Sequence, residues 1–94
     1  MTLYLFAIRK PFGHNFLSAF NGSQKNARSE GYRYRKTLKE SVEVYQGTSL
    51  RRENYIGTVD FYYDYSTKHD EPAWRDRNNR KYVLNKDGSL GKKV

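Results

Sequence analysis

The chain has 94 residues, no cysteine and a formal charge of +8 at pH 7. That length leaves room for one small basic domain over residues 1–94, and the lack of cysteine excludes a disulfide framework and thiolate chemistry. The apolar fraction is low at 36%, but nine Tyr, five Phe and one Trp supply rings that can pack on one side and stay wet on the other.

A charge excess of this size speaks to partners rather than to fold. It favours nucleic acid or an acidic protein surface. The apolar run Met1–Ile8 has no basic segment before it and is far short of the ~20 residues of a membrane span. No signal peptide and no membrane contact are therefore expected, and a cysteine-free chain of this size points to the cytoplasm.

Thr2 to Ile8 alternates with both faces apolar, which predicts a strand covered on both sides. Arg9-Lys10-Pro11 should end it, because Pro cannot donate to a ladder. Asn15 can cap a short helix on which Phe16, Leu17 and Phe20 share a face, and one helix is expected somewhere in residues 14–30. Asn21-Gly22 would stop or bend it. Asn21-Gly22-Ser23 also matches the glycosylation sequon, and is read as a turn.

Gly31 to Leu38 reads as a strand, with Tyr32 and Tyr34 on one face and Arg33 and Arg35 on the other; a helix through Leu38 competes. Ser41 to Gln46 alternates again, with Val42 and Val44 inward and Glu43 and Tyr45 outward, and Lys39-Glu40 can close a hairpin. Gly47 to Asn54 is a polar turn region. Asn54 to Tyr65 is the clearest strand, with Tyr55, Val59, Phe61, Tyr63 and Tyr65 on one face and Ile56, Thr58, Asp60 and Asp64 on the other. Ser66 to Asn79 reads as a long loop, a kind of segment that is often functional. Tyr82 to Leu84 should be a short strand, and Asn85-Lys86-Asp87-Gly88 a turn that brings Leu90–Val94 back onto it. The expected fold class is α+β: a mostly antiparallel sheet of about five strands, with one short helix between the first and second.

Little in the spacing points to catalysis, and no enzyme, cofactor or metal site is expected. His14 sits in a turn and His69 in a polar loop, neither linked by spacing to a nucleophile. His69-Asp70-Glu71 are adjacent and so do not aim at one point. Asp60 and Asp64 share a strand face about 13 Å apart, too far for a glycosidase carboxyl pair. Gly57 is alone inside a strand, and Gly88-Ser89-Leu90-Gly91 does not open a helix, so no phosphate loop is formed. A small metal-free ribonuclease would need His14 or His69 as general base beside an Arg for the phosphate.

The interleaving of basic and aromatic residues is the stronger signal. Tyr32-Arg33-Tyr34-Arg35-Lys36 alternates, Arg51-Arg52 sits in a turn, and Arg75, Arg77, Arg80 and Lys81 follow Trp74. Arg and Lys neutralise phosphates, and rings stack on unpaired bases. The expected function is nucleic-acid binding: Arg33, Arg35, Arg51, Arg52, Arg75, Arg77, Arg80 and Lys81 hold phosphates while Tyr34 and Trp74 stack. The plainer reading makes the arginines a solvated face and the tyrosines core. The alternative function is an inhibitor docking on an acidic surface of a nucleic-acid-handling enzyme; in its basic, Tyr-rich, cysteine-free composition the chain resembles the small proteins phages use to block host enzymes. The binding readings require cations from separate segments to converge, with at least one ring standing free among them.

Overall fold

The computed structural model describes residues 2–94. The chain forms β1 (Thr2–Lys10), β2 (Gly13–Gly22), α1 (Gln24–Leu38), β3 (Val42–Gln46), a 3-10 turn at Arg52–Asn54, β4 (Tyr55–Asp64), β5 (His69–Asp76), β6 (Lys81–Leu84) and β7 (Leu90–Lys93). The strands make one sheet in the order β2-β1-β3-β4-β5-β6-β7. Every neighbouring pair is antiparallel. The α+β class and the antiparallel sheet are as expected. The strand number is seven rather than about five, and the helix lies between the second and third strands rather than the first and second. It is not long and apolar enough to cross a membrane.

The helix was displaced in the sequence reading by two local ambiguities. Residues 13–22 are strand, not helix. Leu17 has no partner opposite it, because the register slips between Phe6 and Ala7 as β2 pairs with β1. A bulge of this kind breaks the two-residue period. It therefore makes Phe16, Leu17 and Phe20 look helical in spacing. Residues 31–38, whose Tyr-Arg alternation suggested a strand, form the second half of α1. There Ala27, Gly31, Tyr34 and Leu38 recur at steps of four, three and four, the helical period. Ser23, the end of the sequon, caps this helix instead of turning, with its side chain accepting from the Asn26 backbone N–H. Arg35 and Lys36 sit in the last turn, where positive charge complements the helix dipole. Lys39 closes the helix in the left-handed region.

The segment read as a long loop at 66–79 is mostly β5. Its alternation is hidden by Pro72 and by charges on both faces, Asp70 and Asp76 with Trp74, Glu71 and Arg75 with Ala73. Tertiary pairing with β4 from Gly57↔Asp76 to Asp64↔His69 fixes it as a strand.

The helix covers one face of the sheet. Tyr4, Phe6, Val42, Val44, Val59, Trp74 and Leu84 are buried with Ala27 in one core, with Tyr34 and Phe20 packed against it. The alternating residues of the same strands, Leu5 and Ala7 on β1, Glu43 and Tyr45 on β3, Thr58 on β4 and Arg75 on β5, point away from the helix. This opposite face carries no helix.

Gly31 lets α1 approach the sheet. A Cβ at that position would lie 2.6 Å from Cγ2 of Val59. Gly31→Val should therefore destabilise the fold by about 1–3 kcal/mol, because overpacking forces the helix off the sheet. Denaturant unfolding would read this as a lower midpoint at unchanged slope.

A candidate anion-binding cleft on the open sheet face

A cleft of about 770 Å³ opens on the face away from the helix. Its lining includes Arg9, His14, Glu43, Tyr45, Arg52, Arg75 and Arg77. These residues come from β1, β2, β3, the turn before β4, β5 and the turn after β5. Strand register brings them together. Arg9 pairs with His14 across the β1–β2 hairpin, and Ala7 pairs with Glu43 across β1–β3. Two residues along β1 from Ala7, on the same face, the Arg9 side chain reaches Glu43.

Glu43 forms the floor and is only 9% exposed. A carboxylate at such depth is tolerable only when donors surround it. Arg9 Nε donates to Oε2 at 2.9 Å. On Oε1, His14 Nε2 lies at 3.0 Å and the Tyr45 hydroxyl donates at 3.0 Å. His14 Nε2 is also 3.1 Å from the Tyr45 hydroxyl oxygen, and the two rings meet edge-on. Tyr55 packs edge-on against the other side of Tyr45. Burial, then the bond to Glu43, pushes the Tyr45 hydroxyl up to about 12. The bond to Glu43 raises Arg9 further above its already high range.

The other arginines differ in how much charge they keep. Arg75 Nε donates to Asp60 Oδ2 at 3.2 Å, so part of its charge is matched. Asp60 is itself held by the Ser41 hydroxyl at 2.9 Å, with Lys81 Nζ 3.9 Å away. Arg52 and Arg77 are exposed and have no ion-pair partner among the described residues.

Two exposed rings flank His14 on the β1–β2 hairpin, outside the cleft lining itself. Phe12, at the tip of the β1–β2 hairpin, is fully exposed, and Phe16 is more than half exposed. Phe12 lies two residues from His14 in the chain. Phe16 pairs with Ala7, which puts it on the cleft side of the sheet.

The structure divides the expected site residues. Arg52, Arg75 and Arg77 converge in the cleft. Lys81 lies beside it, its ammonium donating to the Phe61 carbonyl at 3.0 Å. Arg80 is exposed in the turn before β6. Arg51 is outside the lining and pairs with Glu53 at 3.8 Å. Arg33, Tyr34 and Arg35 belong to the helix, behind the sheet, and cannot join the same surface. Arg33 pairs with Glu30, Arg35 stacks over Phe61 at 5.0 Å, and Tyr34 bonds the Ser18 hydroxyl and packs on Phe6. Trp74 is 2% exposed, in the core under Arg28, and is not available for stacking. His69 is exposed at the end of β5, opposite Asp64.

Sequence reasoning missed Arg9, Glu43, Tyr45 and the exposed rings Phe12 and Phe16; it named His14 as a possible general base but put it in a turn, whereas it lies in β2. One signal was present: Glu43 alternates with Val42 and Val44 and shares its face with Tyr45, so a carboxylate and a phenol stand side by side on one face of an apolar strand. Comparison with protein-family models, curated proteins and solved structures finds no match to this chain.

Proposed function

We propose that the protein binds single-stranded nucleic acid across the open face of its sheet. The observation that supports this best is the meeting of Arg9, Arg52, Arg75 and Arg77, from separate segments, in one cleft. Phosphates would lie along these guanidinium groups, and an unpaired base would stack on Phe12 or Phe16 at the end of the cleft. Duplex would present its rings inside the stack and leave the hairpin aromatics unused, so single strands should bind better.

Binding of a fluorescent 12-nucleotide single strand across a salt series tests this. Each phosphate contact contributes about −0.7 to the log–log slope for single strands, so four contacts give a slope near −3. The double variant Arg52→Ala/Arg77→Ala should lower that slope by about 1.4 at unchanged melting temperature, since both residues are exposed. Affinity no tighter than micromolar at 50 mM salt, or a slope of zero, rejects the reading.

A second reading is favoured by Phe12 and Phe16, because exposed aromatics beside arginines also anchor protein interfaces. In that case the protein docks on an acidic protein surface as an inhibitor. Pull-down from the native host with and without nuclease separates the two, since a protein partner survives the nuclease.

A further inference from the structure

We propose that the cleft also cleaves RNA, with Glu43 accepting the proton of a 2′-hydroxyl and His14 supplying one to the departing 5′-oxygen. The inference rests on the nucleic-acid reading above and adds chemistry to it.

Glu43 is buried on the sheet face at a cost. A carboxylate buried as Glu43 is, at 9% exposure, is seldom the most stabilising way to fill a sheet face, since apolar groups of like volume do as well or better. Yet this site brings a carboxylate, an imidazole, a phenol and a guanidinium within about one hydrogen bond of each other at the bottom of an open cleft. Carboxylate and imidazole are the usual proton carriers in catalysis near neutral pH. Unpaired guanidinium groups beside them are what a phosphate needs as its charge grows in the transition state.

The atoms balance without a co-reactant. The 2′-oxygen gives its proton to Glu43 and bonds to the adjacent phosphorus. The bond from phosphorus to the 5′-oxygen breaks, its electron pair goes to that oxygen, and His14 in its charged form protonates it. The products are a 2′,3′-cyclic phosphate and a free 5′-hydroxyl. Glu43 is then neutral and so is His14. The charged ring keeps its Nε2–H on Glu43 and gives its Nδ1 proton to the leaving oxygen, so the starting state returns through water in the open cleft: Glu43 releases its proton and Nδ1 takes one up. Arg9 occupies one lone-pair direction of Oε2, the oxygen not engaged by His14 and Tyr45, and leaves a second for the 2′-hydroxyl. Arg9 is also placed to hold a phosphate oxygen, because most of its side chain remains exposed. Tyr45 fixes the pair from below.

The test uses the intact protein and three 5′-labelled 12-nucleotide strands of one sequence: RNA, DNA, and DNA with a single internal ribonucleotide. The expected result is cleavage of the RNA, and cleavage of the mixed strand only on the 3′ side of its ribonucleotide, each leaving a cyclic phosphate. The DNA should bind and stay whole, because it lacks the attacking oxygen. Glu43→Gln and His14→Ala should each slow cleavage 100-fold or more. Glu43→Gln should bind the DNA strand no more weakly than the parent, since a negative charge has left the cleft. That readout, with a melting curve, separates loss of a proton carrier from loss of the fold. His14→Ala stands alone if Gln at 43 unfolds the protein, because His14 is only partly buried. RNA that binds and stays intact overturns this inference and leaves the binding reading standing. Cleavage at parental rate by both variants also overturns it. No binding of any strand overturns both.

Discussion

Trp74→Ala is expected to destabilise the protein by about 3–5 kcal/mol, the usual cost of removing a large ring from a packed interior. A small domain has total stability of about 5–15 kcal/mol, so this change brings it near the point of unfolding at 25 °C. The ring lies between Val59 and Tyr82 in the ladder and under the Arg28 guanidinium, whose charge sits 5.8 Å from its centroid. Its removal opens a cavity in the core shared by α1 and the sheet. Burial already lowers the Arg28 pKa, and without the ring that cation loses its favourable face. Phe12→Ala should do the reverse. The ring touches solvent on all sides, so the melting temperature should not move, while loss of base stacking weakens single-strand binding by about 1–3 kcal/mol. Urea unfolding and strand titration on the two variants check the pair. A Trp74→Ala protein as stable as its parent would mean that the ring is not the core residue described here.

The Tyr45 hydroxyl should titrate near 12, about two units above an ordinary tyrosine. Burial disfavours the phenolate, and Glu43 both accepts the hydroxyl's bond and repels the anion. The folded state therefore keeps a proton that the unfolded state releases near pH 10. This contribution is complete below pH 10 and is lost as pH rises through about 12. A two-unit shift corresponds to about 2–3 kcal/mol at most. Phenolate absorbance of the parent minus that of Tyr45→Phe should show one hydroxyl titrating near 12. Melting temperature should fall less steeply from pH 10 to 12 in Tyr45→Phe than in the parent. A difference curve centred near 10 would mean that the Tyr45 hydroxyl is neither buried nor bonded to Glu43.

Some of this molecule can be read from residue order alone. The alternation at Ser41–Gln46 and Asn54–Tyr65 marks β3 and β4, with Val42 and Val44 inward, as found; but Glu43 and Tyr45, read as outward, are buried on the cleft face, and the register slip between Val44 and Tyr45 turns Tyr55 from Val59's face to theirs. The apolar faces of Thr2–Ile8 mark a covered central strand, and Leu5 and Ala7 are indeed buried opposite Tyr4 and Phe6. Arg52, Arg75 and Arg77 were legible as cations available to an anion. The helix was not, because Tyr32-Arg33-Tyr34-Arg35 satisfies a two-residue period over four positions and only the wider spacing Ala27–Gly31–Tyr34–Leu38 separates the alternatives. The bulge at Leu17 caused the complementary error in β2. Where a single inserted residue shifts the period, local pattern misleads and the pairing strand decides.

The chain's composition and short-range order determined its charge, its lack of thiol chemistry, its antiparallel sheet and the inward residues of its central strands. These follow from side-chain chemistry and from a backbone whose side chains alternate every residue. Tertiary structure decided which cations share a surface. It put Arg33 and Arg35 behind the sheet and Arg9 in one cleft with Arg52, buried the Trp that looked free, and exposed the Phe that looked like core. It also set His14 and Tyr45 on Glu43. The physical reason is that such a site is made by register between strands distant in sequence: His14 and Glu43 are 29 residues apart yet within a hydrogen bond, and no local period encodes that distance.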